Sequence, residues 1–242
     1  MSEEILINVT PRETRVAKIE NGMLQEVHIE RASRRGYFGN IYKGRVSRVM
    51  PGMQAAFVEI GLDRAAFLHA SDIVKTPSAE AEGGENGNGG NGSTPAIGEL
   101  VRDGQEIVVQ VVKDPIGTKG ARLTMQLAIP GRYMVFVPSG EGVGFSRRLE
   151  DKERIRLKRE ARGLDLMGGG AIIRTAARGA THEDFVRELI YLNMLNDVLS
   201  RRAEEATAPE MIFQEADLSI RVLRDVFTDE LDEALIDDEA QF

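Results

Sequence analysis

Two phenylalanines ten residues apart, Phe57 and Phe67 in QAAFVEIGLDRAAFLHA, are the most chemically suggestive residues of the chain. Strand side chains alternate faces, so Ala56, Val58 and Ile60 form one side of the first segment, and Phe57 shares the other with Glu59. In the second segment Ala66, Leu68 and Ala70 are the apolar set, which leaves Phe67 beside His69. A turn at Gly61, Leu62 and Asp63 sets Ile60 opposite Arg64 and Phe57 opposite Phe67, as neighbours on a wet surface. Such a pair offers stacking to nucleic-acid bases, worth about 1–3 kcal/mol per base, while nearby cations track the phosphates. Lys113, ending the segment EIVVQVVKD, and Lys119, in the turn DPIGTKGAR, are the candidate cations. The competing reading tucks one or both rings under a loop as satellite core.

A second candidate is GGGAIIRTAARG, where Arg174 presents a rigid fork suited to bidentate phosphate recognition and Thr175 adds a hydroxyl. An Arg-Thr pair at a strand's end is common on surfaces and decides nothing alone. The glycines do not form a phosphate loop, because the GxxxxGK[ST] pattern is missing; they relax the backbone before the strand. Signals for catalysis are poor. His28, His69 and His182 lack ligand spacing, and the absence of cysteine excludes disulfides, thiol nucleophiles and Cys-based zinc sites. The acidic run DELDEALIDDE reads as a solvated helix edge rather than a metal site, and no carboxylate pair can be placed for a magnesium nuclease.

The elements that must position these residues follow from periodicity. EILINVTPRETRVAKIENGMLQEVHIER alternates apolar and polar residues about an Asn21-Gly22 hairpin signal and predicts three antiparallel strands. NIYKGRVSRVM, QAAFVEI, RAAFLHA, EIVVQVVKD and ARLTMQL predict five short strands, the number and order of a small oligonucleotide-binding (OB) barrel. Between them residues 76–95, TPSAEAEGGENGNGGNGSTP, have no Lys or Arg and too little apolar surface to order, and so read as a flexible loop. RYMVFVP, GFSRRL and AIIRTAA read as strands and DKERIRLKREARGL as a basic helix. Thr181 caps a further helix with Phe185, Leu189, Leu192 and Leu199 at helical spacing, an α/β layer that MIFQE, LSIRVLRDVF and EALI continue without an obvious closing element.

The whole-chain properties are those of a soluble globular protein: 242 residues, 42% hydrophobic, and a net charge of −8. The acidic opening MSEE does not resemble a signal peptide, and no run approaches the roughly 20 apolar residues of a membrane span, so a cytoplasmic location is expected. The charge is divided. Residues 31–75 carry eight Lys/Arg against Glu59, Asp63 and Asp72, residues 110–162 twelve basic against six acidic side chains, and residues 203–242 thirteen acids against Arg221 and Arg224. One face can therefore meet phosphate while another repels it, although ordinary solvated faces would give the same tally.

The segment GNIYKGRVSRVMPGMQAAFVEIGLDRAAFLHASDI resembles the S1-type RNA-binding domain as it occurs in the ribonuclease E/G family. ILINVTPRETRVAKIENGMLQEVHIER before it, and VQVVKDPIGTKGARLT, GRYMVFVP, SRRLE, IIRTAA and RVLRDVF after it, extend the likeness over nearly all of the chain except 76–95. NVTPRETRVA and VVKDPIGTKGARLT look closer to the ribonuclease G branch than to the ribonuclease E branch. The resemblance implies a mixed α+β and α/β fold in which a five-stranded S1-type OB barrel is inserted in an RNase H-like layer and followed by an α/β 5′-sensor subdomain. The boundaries then expected are 1–38 and 215–242 for the two parts of the RNase H-like subdomain, 39–127 for the barrel and 128–214 for the sensor.

The implied function is an endoribonuclease, cutting single-stranded A/U-rich RNA that carries a 5′-monophosphate, with magnesium, in ribosomal-RNA maturation and messenger-RNA decay. Phe57 and Phe67 then match the barrel's RNA-contacting aromatics, Lys119 a lysine used there, and Lys113 fits less specifically. Arg174 and Thr175 match the pair holding the terminal phosphate, Gly131 a backbone contact, and Val135 the apolar neighbour of the terminal nucleotide. In the family a DNase I-like domain with two metal-binding aspartates follows, and then a Cys-rich zinc link that joins subunits. This chain ends before either. It is expected to be the non-catalytic, RNA-recognising N-terminal half of a homo-oligomeric enzyme, without the magnesium site or the zinc link. The alternatives are a free-standing RNA-binding adaptor with no nuclease activity and a structural module whose basic surface meets proteins.

Overall fold

The computed structural model describes residues 2–73, 95–226 and 231–239. Strands β1 (Glu3–Val9), β2 (Glu13–Glu20) and β3 (Met23–Arg31) form an antiparallel meander. Asn21 and Gly22 both take positive φ, 51° and 73°, which a two-residue hairpin of this kind requires. Alternation puts Ile5 and Ile7 of β1 and Val16 of β2 on the buried side, while β3 at the sheet edge stays largely exposed.

The second unit runs through β4 (Ile41–Met50), β5 (Ala55–Glu59), β6 (Ala66–His69), the one-turn helix α1 (Ile97–Leu100), β7 (Glu106–Lys113) and β8 (Arg122–Thr124). β5 lies between β4 and β6, β8 joins β6 to β7, and β7 returns to the first half of β4, which closes a five-stranded barrel. Small and branched side chains fill it: Val46, Ala56, Val58, Ala66, Leu68, Val109 and Leu123 are buried. The β5–β6 hairpin has the expected register, but its last pair is Val58 with Ala66, so residues 60–65 form a longer loop than the expected three-residue turn. The cause is burial, since Ile60 is drawn into the barrel core while Arg64 turns outward to donate to the Gly117 carbonyl at 2.8 Å. The glycine-rich stretch 76–95 lies, but for Pro95, outside the described residues.

The third unit comprises β9 (Ile129–Pro130), β10 (Met134–Val137), β11 (Gly142–Phe145), α2 (Asp151–Glu160), β12 (Gly170–Ile173) and α3 (His182–Glu205). Its sheet runs β11-β12-β10-β9, with β11 parallel to β12. α3 opens on a reciprocal cap: Thr181 accepts from the Asp184 N–H and Asp184 accepts from the Thr181 N–H. Its Phe185, Leu189, Leu192 and Leu199 sit in one cluster with Met134, Phe136 and Ile173.

Three closing segments depart from the α/β continuation. β13 (Glu210–Phe213) pairs antiparallel with β4, and Ile212 and Ile41 join the third unit's core, so the strand ties the barrel to that unit. α4 (Leu218–Val226) lays Leu218 and Val222 over Ile5, Ile7 and Val16. In the described part of the acidic run, residues 231–239, there is no helix edge: β14 (Glu233–Ile236) pairs parallel with β1 and supplies the closing element that charge had hidden. Asp232 accepts from the Glu3 N–H and Asp237 from the Val9 N–H, each at 2.8 Å, so these acids bracket a strand pairing. The result is a mixed α+β fold containing a closed barrel.

Candidate nucleic-acid interface

Phe57 and Phe67 are register partners with ring centroids 6.1 Å apart at 71°, an edge-to-face contact on the outer face of the barrel. Both rings are half-buried, and His69 lies 6.5 Å from Phe67. The row continues on both sides. Arg48 of β4 is the partner of Phe57, Arg122 of β8 that of Phe67, and Lys113 of β7 that of Arg122. Five adjacent strands thus present Arg48, Phe57, Phe67, Arg122 and Lys113 in one line, basic at the ends and aromatic at the centre.

Two bulges make this line possible. Strict alternation would put Arg48 on the side of Val46 and Lys113 on the side of Val111, both of which face the core. A register shift between Val46 and Arg48 and another between Val111 and Lys113 turn the basic residues outward. Arg122 is held by Asp72, which accepts from its Nε and Nη2 at 3.2 and 2.8 Å. Arg48, Lys113 and Lys119 are exposed and have no ion partner among the described residues.

The Lys119 turn is seated against the hairpin by the absence of a side chain. A Cβ on Gly120 would stand 2.1 Å from the Ala65 carbonyl oxygen, and next to it the Phe67 N–H donates to Ala121 O at 2.7 Å. Lys119 is therefore fixed at the end of the strand that carries Phe67.

The four residues of the phosphate expectation also come together, on β10, β12 and their flanks. Arg174 Nη1 donates to the Gly131 carbonyl at 2.6 Å, and the Arg174 N–H donates to Tyr133 O at 2.8 Å. Val135 is paired with Pro130 and Ile172 and stays half-exposed, and Thr175 is exposed at the start of a short 3-10 turn. Glu188 of α3 fixes the loop beneath: its carboxylate accepts the N–H groups of Arg132 at 2.5 Å, Tyr133 at 3.0 Å and Met134 at 2.8 Å. Burial pushes the Glu188 carboxyl up, and the Tyr133, Met134 and Arg132 amides oppose that shift. Arg174 is not idle, because its Nη2 lies 2.7 Å from Asp225 of α4, and Asp225 in turn accepts from Arg224 Nε at 2.9 Å.

Sequence reasoning missed Arg48, Arg122, Glu188 and Asp225. The first depends on a bulge and the second on a parallel pairing. Glu188 was hidden among the polar positions of an amphipathic helix, and Asp225 acts on a residue 51 positions away.

An S1 RNA-binding domain model matches residues 38–124, the barrel with its rings and basic rim. The Ribonuclease E/G family model matches residues 128–242. The chain is 52% identical over 239 residues to ribonuclease G of Salmonella typhimurium (strain SL1344), an alignment covering 98% of this chain and 48% of that protein. The chain belongs to the ribonuclease E/G family. Ribonuclease G of Escherichia coli (strain K12) is 51% identical over 238 residues, again 98% of this chain and 48% of the relative. Ribonuclease E of the same strain is 34% identical over 240 residues, 97% of this chain and 22% of that protein. The ribonuclease G side of the family is thus nearer than the ribonuclease E side, as the motifs implied. The chain spans about half the length of the ribonuclease G relatives it matches.

Proposed function

We propose that this stretch of a ribonuclease E/G-family protein recognises single-stranded RNA for an endoribonuclease, holding the strand on the barrel and its 5′-monophosphate at Arg174. The observation that carries the reading is the outer row of Arg48, Phe57, Phe67, Arg122 and Lys113, which sets two stackable rings between cations, matching the bases and phosphates of a single strand. Bases stack on Phe57 and Phe67, the guanidinium and ammonium groups with Lys119 take the backbone, and sequence preference is weak because every base has a π-face.

The terminal phosphate is received by the Arg174 fork and the Thr175 hydroxyl, with the Gly131 loop and Val135 beneath the first nucleotide. Arg174 is suited to this because Gly131 O and the Glu188-bound loop hold its direction before any ligand arrives. Among the described residues no group of three or more His, Asp or Glu side chains is arranged to hold a metal ion. In this proposal the stretch binds RNA, as part of an enzyme that cleaves single-stranded A/U-rich RNA with magnesium.

The deciding experiment is fluorescence anisotropy with two oligonucleotides differing only at the 5′ end. The 5′-monophosphate form should bind more tightly than the 5′-hydroxyl form, and Arg174→Ala should erase the difference while leaving the 5′-hydroxyl affinity in place. Equal binding of both forms by the unaltered protein overturns the phosphate assignment.

A further inference from the structure

Helix α3 has two apolar faces. One is buried in the third unit through Phe185, Leu189, Leu192 and Leu199. On the other, Val186, Ile190, Tyr191, Met194 and Val198 are all between 37% and 64% exposed, where an amphipathic helix ordinarily carries polar residues.

The order of residues along this second face specifies what can cover it. Glu183, Ile190, Met194 and Arg201 follow one another at spacings of seven, four and seven, which at about 100° per residue keeps them within about 20° of a single line. Glu183 and Arg201 are equidistant from position 192, and so are Ile190 and Met194. A second copy of the helix, running antiparallel about a two-fold axis at that level, sets Ile190 against Met194 and Glu183 against Arg201, each contact occurring twice. A parallel copy would bring Glu183 to Glu183 and Arg201 to Arg201. The charges therefore select the antiparallel arrangement, and both are exposed without an ion pair among the described residues.

We infer that this face of α3 is a self-association surface through which two copies of the chain pair antiparallel. The contact strip is about 27 Å long, short of what a permanent dimer buries, so the association is weak and concentration-dependent. It uses none of the residues of the aromatic row or of the proposed phosphate site, and so does not depend on the RNA-binding assignment.

Sedimentation velocity of the 242-residue chain over a wide concentration range tests it. A monomer–dimer equilibrium is expected. Glu183→Arg alone and Arg201→Glu alone should each weaken dimerisation about tenfold by replacing two attractive contacts with two repulsive ones, and the double exchange should restore it. Ile190→Asp should leave a folded monomer, with unchanged melting and RNA affinity showing that only the surface was altered. A chain monomeric at every concentration, or a dimer indifferent to these four variants, overturns the inference.

Discussion

Arg174 Nη2 and Asp225 Oδ1 are 2.7 Å apart, so the guanidinium assigned to the RNA 5′ end already holds a carboxylate supplied by α4. A terminal phosphate must compete with that carboxylate or share the fork with it. Asp225→Asn keeps the shape and a hydrogen-bond acceptor but removes the charge. It should tighten binding of a 5′-monophosphorylated oligonucleotide about two- to fivefold, the ~0.5–1 kcal/mol of a partly exposed ion pair, and leave the 5′-hydroxyl twin unchanged. Weaker phosphate binding in this variant would mean that Asp225 positions Arg174 and does not compete for it.

The aromatic row separates stacking from packing. Phe57→Ala and Phe67→Ala should each lower affinity for single-stranded RNA by about 1–3 kcal/mol per engaged base. Arg48→Ala and Lys113→Ala should each reduce the slope of log affinity against log salt by about 0.7, the value for one phosphate contact on a single strand. Both effects are measured by anisotropy titrations at several ionic strengths. Rings that served only as core would lower the melting temperature and leave affinity alone.

Gly120→Ala forces a methyl group onto a backbone oxygen, which cannot swing aside as a side chain would. The Lys119 turn must then lift away from the hairpin. A melting temperature several degrees lower and weaker RNA binding are expected together, in line with a strain of about 1–3 kcal/mol. Normal melting and normal binding would show that the turn rests loosely on Ala65.

Glu188→Gln tests the loop beneath Arg174. An amide in place of the carboxylate turns one acceptor into a donor facing backbone N–H groups, at a cost of about 1–3 kcal/mol for the groups left unpaired. Thermal melting should record the loss, and discrimination between 5′-monophosphate and 5′-hydroxyl RNA should fall because the Gly131 carbonyl no longer has a fixed place. Full discrimination in a destabilised variant would free the phosphate assignment from the loop.

Acid should weaken the fold through identifiable carboxylates. The Thr181 N–H and hydroxyl hold Asp184 below the usual carboxylate range, Arg156 does the same for Glu153, and the Val9 N–H and the Asn8 amide for Asp237. A group whose value is depressed by folding contributes its full stability above its unfolded value. That contribution is lost as pH falls through the folded value, so the melting temperature should hold near neutrality and drop below about pH 4. Asp184→Asn should make the drop shallower, and an unchanged acid profile would remove Asp184 from the account.

What was legible in the sequence was whatever obeys a short period. Two-residue alternation predicted that Phe57 and Phe67 face each other, and helical spacing with Thr181 predicted the cap and buried side of α3. What escaped was set by one extra residue or by distant pairing. The bulge that turns Arg48 outward breaks strict alternation, and the parallel β6–β8 pairing brings Arg122 beside Phe67 across 55 positions. In DELDEALIDDE the acids outnumber the apolar residues, so a strand whose role is edge pairing looked like a solvated helix. The Gly131–Arg174 contact crosses two strands and leaves no local pattern.

The parallel pairing of β1 with β14 has a temporal meaning. Glu3 finds its hydrogen-bond partner Asp232 only after 229 further positions have been synthesised. During translation the barrel and the α/β unit hold all their own strands while β1 still waits with one side open, and closing so large a loop is slow. Until β14 is made, the side of β1 away from β2 is an unpaired strand edge and so a site for misassembly.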